Sequence, residues 1–241
     1  MEAGASGESI RHTPEITRGI LRWVLRVGLF VAIFAASLFL SAGQLDWGMG
    51  WVYVGVLLAN QVLTGLLLIP RSPELLVARG RSEGPRDLDR ILASVMALYG
   101  PVVTLIVAGL HGRFGWLPAM PLALHLVALA VAVLGALLTI WAMASNRFFY
   151  GTLRVEPDRG HTVASTGPYR ALRHPGYAGA ILFQLATPLL LGSLWAVIPA
   201  ALTATAIVVR TALEDRALQD RLDGYRDYAA KVRYRLAPGI W

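Results

Sequence analysis

The chain contains no cysteine among its 241 residues. Disulfides, thiol nucleophiles and thiolate metal sites are therefore excluded. Charge is also scarce: Asp, Glu, Lys and Arg make up 15% of the chain, against roughly a quarter in an average soluble domain. Acidic residues are the scarcer kind, 15 against 22 basic, for a formal net charge of +7. Several signatures of soluble enzymes are missing. There is no Walker-type phosphate loop, no G-x-G-x-x-G, no H-E-x-x-H and no G-x-S-x-G. The five histidines, at 12, 111, 125, 161 and 174, show no close metal-ligand spacing, so no metal site is expected.

Apolar residues fill the space left by charge, at 56% of the chain with a mean hydropathy of +0.55. Four runs, at 23–42, 48–69, 91–110 and 121–144, reach the roughly 20 residues that cross a bilayer as a helix. A fifth run, 178–209, is too long for one crossing and is broken by Gly192-Ser193. It reads as a hairpin of two shorter helices, with Pro188 and Pro199 expected to bend its arms. The first run ends in small residues, as a signal peptide does, but a polar leader precedes it and further runs follow. The expected fold is an all-α integral membrane protein of five to six membrane helices. The last two form the hairpin, and a cofactor-binding region follows on the cytoplasmic side.

The basic residues orient these runs. Four precede or open the first run, five lie between the second and third, five lie between the fourth and the hairpin, and seven follow it. Only Arg113 falls in a loop of the opposite set. By the positive-inside rule the basic side is cytoplasmic and carries both termini. A single crossing at 178–209 would strand the basic tail on the wrong side. Spread over four loops, the charge fits anionic lipid headgroups and not nucleic acid. The arginine- and alanine-rich composition is bacterial in character, so a bacterial inner membrane is the expected location. Three regions follow: 1–22, a polar segment with the start of an interfacial helix; 23–145, a four-helix scaffold; and 146–241, the catalytic region.

Chemistry concentrates in the last region. Residues 161–179 read H-T-V-A-S-T-G-P-Y-R-A-L-R-H-P-G-Y-A-G, at the mouth of the hairpin. Gly167-Pro168 and Pro175-Gly176 are turn signals, and His174 is biased to an extended backbone by the proline after it. Residue types alone fit an interfacial loop anchored by its rings as well as a ligand-binding turn. Downstream, Arg210 and Glu214 stand one helical turn apart. They fit an ordinary ion pair, or an arginine clamp for an anion beside a carboxylate that holds an amine or a hydroxyl. Asn146 and Arg147 follow the fourth run directly, as a helix stop or as part of the same site. The tail 231–241 is basic with interleaved rings and reads as a membrane-surface segment.

Taken in order, these elements resemble the isoprenylcysteine carboxyl methyltransferase family and the related membrane phospholipid methyltransferases. The resemblance rests on Asn146, the 161–179 stretch, the hairpin, R-x-x-x-E-D at 210–215 and G-Y-R-D-Y at 224–228. P-E-L-L at 73–76, with Arg79 and Arg81, adds to it. It implies S-adenosylmethionine as cofactor. His161, Thr162, Val163 and Ala164 would be a strand lining it, and Tyr169, His174, Pro175, Gly176 and Tyr177 the rest of its pocket. Glu214 would hold the cofactor from the helix side. Arg210 would face the substrate, with Asn146 beside it, and Arg210 and Glu214 would be the catalytic pair. Arg154 stands where eukaryotic members carry glutamine, and Asp215 where a second glutamate is usual.

The implied reaction is methyl transfer to a carboxylate of a lipophilic or lipid-modified acceptor that enters from the bilayer. Three other functions fit the same chain: N-methylation of a phospholipid amine, a non-catalytic scaffold or carrier, and a membrane reductase of related architecture. An N-methyltransferase needs a base for the amine, and a reductase needs a nicotinamide site.

Overall fold

The computed structural model describes residues 14–71, 87–149 and 160–241. The 73–76 motif, Arg79, Arg81 and Arg154 lie outside the described residues. Helix α1 spans Pro14–Ala42, α2 Gly48–Arg71, α3 Asp87–Ser94, α4 Gly100–Phe114 and α5 Leu122–Ser145. Helix α6 spans Pro175–Leu190, α7 Val197–Arg221 and α8 Tyr225–Lys231. There is no strand among the described residues. Five helical stretches are long and apolar enough to cross a membrane. They are α1, α2, the joined α3–α4, α5 and α7.

The third of these is not one regular helix. Val95–Tyr99 forms a π-helical turn, closed by the Gly100 N–H donating to the Val95 carbonyl. Pro101 follows at once. It has no N–H to donate to residue 97, and its ring crowds that carbonyl, so the ladder changes register just before it. The irregular turn faces the cavity described below.

The hairpin forms as the residue pattern predicts. Helix α6 has 16 residues, a length of about 24 Å at 1.5 Å per residue, short of a bilayer core. Gly192 turns the chain with φ +73°, a conformation that disfavours any side chain. The Ser193 N–H donates to the Pro188 carbonyl at 2.8 Å, and His125 Nδ1 meets the Leu190 carbonyl at 2.8 Å from α5. Pro188 lies inside α6. Pro199 falls in the first turn of α7, where a proline removes no intrahelical bond, so the bend expected there lacks its cause. The second arm also does not end at 209. Helix α7 runs on without a break to Arg221, carrying Arg210, Glu214 and Asp215 on one rigid element.

Helices α5 and α6 pack backbone to backbone. A Cβ on Gly135 would lie 2.6 Å from the Gly179 carbonyl oxygen, so only two glycines let these backbones meet. Thr139, one turn along α5, donates to the Gly135 carbonyl at 3.0 Å and to the Gly176 carbonyl at 3.3 Å. This contact fixes the first turn of α6 against α5 about two turns before its end. The apolar core gathers Phe34, Leu38, Tyr53, Leu57, Leu105 and Leu190 from α1, α2, α4 and α6. A second cluster, Ala142, Tyr169, Leu222, Tyr225 and Tyr228, lies at the basic end and floors the site.

Candidate functional site

The last turn of α5, the segment 161–174, the first turn of α6 and the last third of α7 converge on one cavity of about 340 Å³. A cavity of that size suits a small ligand. Asn146, His161, Thr162, Val163, Ala164, Tyr169, His174, Gly176, Tyr177, Arg210 and Glu214 all line it. Pro175 does not line it. That residue is fully buried and opens α6, where its missing N–H costs nothing.

Residues 161–164 depart from expectation: they form no strand and line the cavity as an irregular wall. The His161 ring stacks on Phe148 at 4.2 Å. Asn146 closes α5: its Oδ1 accepts from the Phe148 N–H at 2.8 Å and its Nδ2 donates to Tyr169 Oη at 3.3 Å. The 3₁₀ turn Gly167–Arg170 buries Tyr169, and the Tyr228 hydroxyl donates to the Tyr169 carbonyl at 2.7 Å from α8.

Two carboxylates, adjacent in sequence, face different partners. Glu214 accepts from the Tyr177 hydroxyl at 2.6 Å and keeps about a quarter of its side chain exposed. His174 Nδ1 lies 4.0 Å from its other oxygen. Asp215 is fully buried. His174 Nε2 and Arg173 Nε each lie 3.2 Å from its Oδ1. The Tyr225 hydroxyl donates to the same oxygen at 3.0 Å. Gln219 Nε2 and Arg235 Nε donate to Oδ2 at 2.8 and 2.9 Å. His174 thus bridges the two carboxylates, one nitrogen toward each. The N–H groups of Arg173 and His174 also donate to the carbonyls of Tyr234 and Arg235, both at 2.9 Å. The C-terminal segment therefore pins the 173–174 turn through backbone and side chain together.

Arg210 is buried, with Nε 3.1 Å from Asp89 Oδ1 on α3 and its guanidinium carbon 6.0 Å from the centre of the Tyr177 ring. Burial holds the phenols of Tyr169, Tyr225 and Tyr228 well above the usual tyrosine range, and the neighbouring Asp215 raises Tyr225 further. They act as neutral donors throughout the physiological range.

Reading the sequence missed much of this surround. Arg173, Tyr225 and Tyr228 line the cavity, as do Phe148, Phe149, Leu218 and Leu222. Asp215 appears in the motif, but nothing local marks it as a buried hub, because its partners come from four separate segments. Asp89 has no motif at all.

The residues fit a cationic, amino-acid-bearing nucleoside such as S-adenosylmethionine. Carboxylate and neutral phenol groups line one wall, rings and apolar residues flank it, and the cavity has the volume for such a ligand. No curated protein matches the chain. Residues 127–220 match the family model described as the isoprenylcysteine carboxyl methyltransferase (ICMT) family. That segment covers most of α5, the 161–174 wall, the hairpin and almost all of α7, and so includes each of the eleven cavity-lining residues anticipated from sequence. Over residues 127–220, then, the chain is similar to the ICMT family of membrane methyltransferases.

Proposed function

We propose that the protein uses S-adenosylmethionine to methylate a carboxylate on a lipophilic or lipid-modified acceptor that enters from the bilayer. One observation carries the reading most directly: Arg210 and Glu214, one turn apart on α7, line the same cavity as His161–Ala164. Glu214 would take the amino group of the cofactor, with Tyr177 holding the carboxylate's other edge. His161 to Ala164, Leu218 and Leu222 would flank the nucleoside. Arg210 would orient the acceptor carboxylate, while Met96, Ala97 and Ala180 offer an apolar approach.

When bound, the cofactor supplies a methyl carbon on a sulfonium. Glu214, Tyr177 and His161 to Ala164 would hold it, and Arg210 would present the acceptor carboxylate oxygen to that methyl carbon. No proton moves, so the side chains act by positioning and by excluding water. Arg173 and Arg210 both line the cavity, and a positively charged lining favours an anionic acceptor. The basic end that holds the cavity is assigned to the cytoplasm, where the cofactor is found.

The test is titration of S-adenosylmethionine into the detergent-purified protein by calorimetry, beside Glu214→Ala and His174→Ala. Micromolar binding that weakens at least about ten-fold in both variants supports the reading. Folded wild-type protein that binds no cofactor would sink it. A screen of lipid extracts with a radiolabelled methyl donor then separates a base-stable amine product from a base-labile ester.

A further inference from the structure

Two arginines line the cavity among the described residues, Arg173 and Arg210. With Arg210 given to the acceptor, Arg173 is the cation that remains. Its side chain is 7% exposed. Its Nε lies 3.2 Å from Asp215 Oδ1 but makes no hydrogen bond. That oxygen is already taken: the Tyr225 hydroxyl donates to it at 3.0 Å, and His174 Nε2 lies 3.2 Å away. A carboxylate oxygen accepts about two hydrogen bonds. The other oxygen, Oδ2, accepts from Gln219 and Arg235. No hydrogen bond involves the Arg173 guanidinium among the described residues. Anions are short as well. Arg173 and Arg235 share the single carboxylate of Asp215, and Glu214 pairs with no arginine among the described residues. A nearly buried guanidinium with unmet N–H groups is costly unless a ligand meets them, and this one borders a cavity.

We propose that Arg173 binds the α-carboxylate of the cofactor, beside Glu214 on its amino group. This rests on the methyltransferase reading above and deepens it. S-adenosylmethionine carries a carboxylate and an ammonium on one carbon, so its site must offer a cation and an anion near each other. Arg173 Nε and His174 Nε2 lie on the same Asp215 oxygen, and His174 Nδ1 lies 4.0 Å from Glu214 Oε1. One imidazole ring therefore separates the cation from the carboxylate. Together with an acceptor acid, the complex has two carboxylates and one ammonium to seat. The lining offers two arginines and one carboxylate among the described residues. Packing divides the arginines between the two tasks. Arg210 meets Asp89 of α3, the helix that leads to Met96 and Ala97 at the apolar approach. Arg173 meets Asp215, and its N–H donates to the Tyr234 carbonyl at 2.9 Å, so it belongs to the floor built with the C-terminal segment. A guanidinium presents paired N–H groups that match the two oxygens of a carboxylate.

The test uses the full chain in lipid nanodiscs and compares, by calorimetry, S-adenosylhomocysteine with its decarboxylated analogue. The analogue keeps the nucleoside and the amine and lacks only the carboxylate. Wild type should bind S-adenosylhomocysteine at least about ten-fold more tightly, as a charge-assisted pair predicts. Arg173→Met keeps the apolar stem and removes the fork, and should cut that preference to within about two-fold. Arg173→Lys keeps the charge as a single point and should retain a preference between those of wild type and Arg173→Met. Arg235→Ala disturbs the same Asp215 network from outside the cavity, so it should weaken both ligands together and leave their ratio at the wild-type value. An Arg173→Met protein with the wild-type preference overturns the proposal, since the residue then acts on folding alone. Where that variant does not fold, an undiminished preference in Arg173→Lys overturns it equally. Wild type that binds the two ligands with one affinity also overturns it and leaves the cofactor assignment standing. Wild type that binds neither of them, nor S-adenosylmethionine, fails the methyltransferase reading and the proposal with it.

Discussion

Arg235 Nε donates to Asp215 Oδ2 at 2.9 Å, joining residues twenty apart in sequence across the floor of the cavity. The Arg235 guanidinium also lies 4.7 Å from the centre of the Trp241 ring, and the Trp241 carbonyl accepts from the Arg235 N–H at 2.8 Å. The tail expected to lie on a membrane surface is instead part of the site's construction. It reaches His174 through Asp215 and the cavity through His174.

The first prediction follows from that linkage. Asp215→Ala strands Arg173 and the His174 ring in a buried environment without their anion. Breaking a buried charge network from one side costs about 3–5 kcal/mol. Thermal unfolding in detergent should drop by many degrees, and cofactor binding should fail even where folded protein persists. Arg235→Ala, at the more exposed end, should show the same signs more weakly. An Asp215→Ala protein as stable as wild type would refute the hub.

Tyr177→Phe isolates the Glu214 contact. The substitution keeps the ring beside Arg210 and deletes only the hydroxyl 2.6 Å from Glu214 Oε2. A hydrogen bond to a charged group contributes about 1.5–3 kcal/mol. With Glu214 a quarter exposed, water replaces part of it. Cofactor affinity should fall several-fold in calorimetry, with unfolding nearly unchanged. Equal affinity in the two proteins would show that Glu214 needs no preorganisation.

The buried phenols set an alkaline limit. Tyr169, Tyr225 and Tyr228 have folded pKa values above those of the unfolded chain, chiefly through burial. A raised folded value means stability that is intact below the unfolded pKa, near 10, and is lost as pH climbs from there toward the folded value. Each such tyrosine costs about 1.4 kcal/mol per pH unit in that window. Chemical denaturation at pH 9, 10 and 11 should show stability falling only above about 10. Tyr225→Phe should shallow the slope. An equally steep fall without Tyr225 would assign it to other groups.

Much of this was legible beforehand, for identifiable reasons. Apolar runs of bilayer length and one-sided arginines read directly as helices, and Gly192-Ser193 read as the hairpin turn, because these signals are local. Arg210 and Glu214 share a helix face by spacing alone. His161, Tyr169, His174 and Tyr177 cluster in sequence and so cluster in space. What escaped depends on contacts between distant segments. Asp89 and Arg210 are far apart in the chain, and Asp215 collects partners from the 173–174 turn, α7, α8 and the tail. The π turn escaped too, because a proline after a glycine reads as a mild kink and not as a change of hydrogen-bond register.

The packing of α5 on α6 yields the last prediction. A methyl group on Gly179 would strike the Gly135 carbonyl oxygen and Thr139, and one on Gly135 would strike the Gly179 carbonyl oxygen at 2.6 Å. Backbone cannot yield as a flexible side chain can, so the helices must separate. Overpacking of this kind costs about 1–3 kcal/mol. The first turn of α6, which Thr139 holds at the Gly176 carbonyl, would move with it. Gly135→Ala and Gly179→Ala should therefore lower both thermal stability and cofactor affinity, although neither residue lines the cavity. Gly55→Ala on α2 is the matched control, since nothing lies within 4 Å of its added methyl. It should hold or slightly raise stability through helix propensity alone. If all three variants behave alike in unfolding and in calorimetry, the two glycines do not set the position of the site.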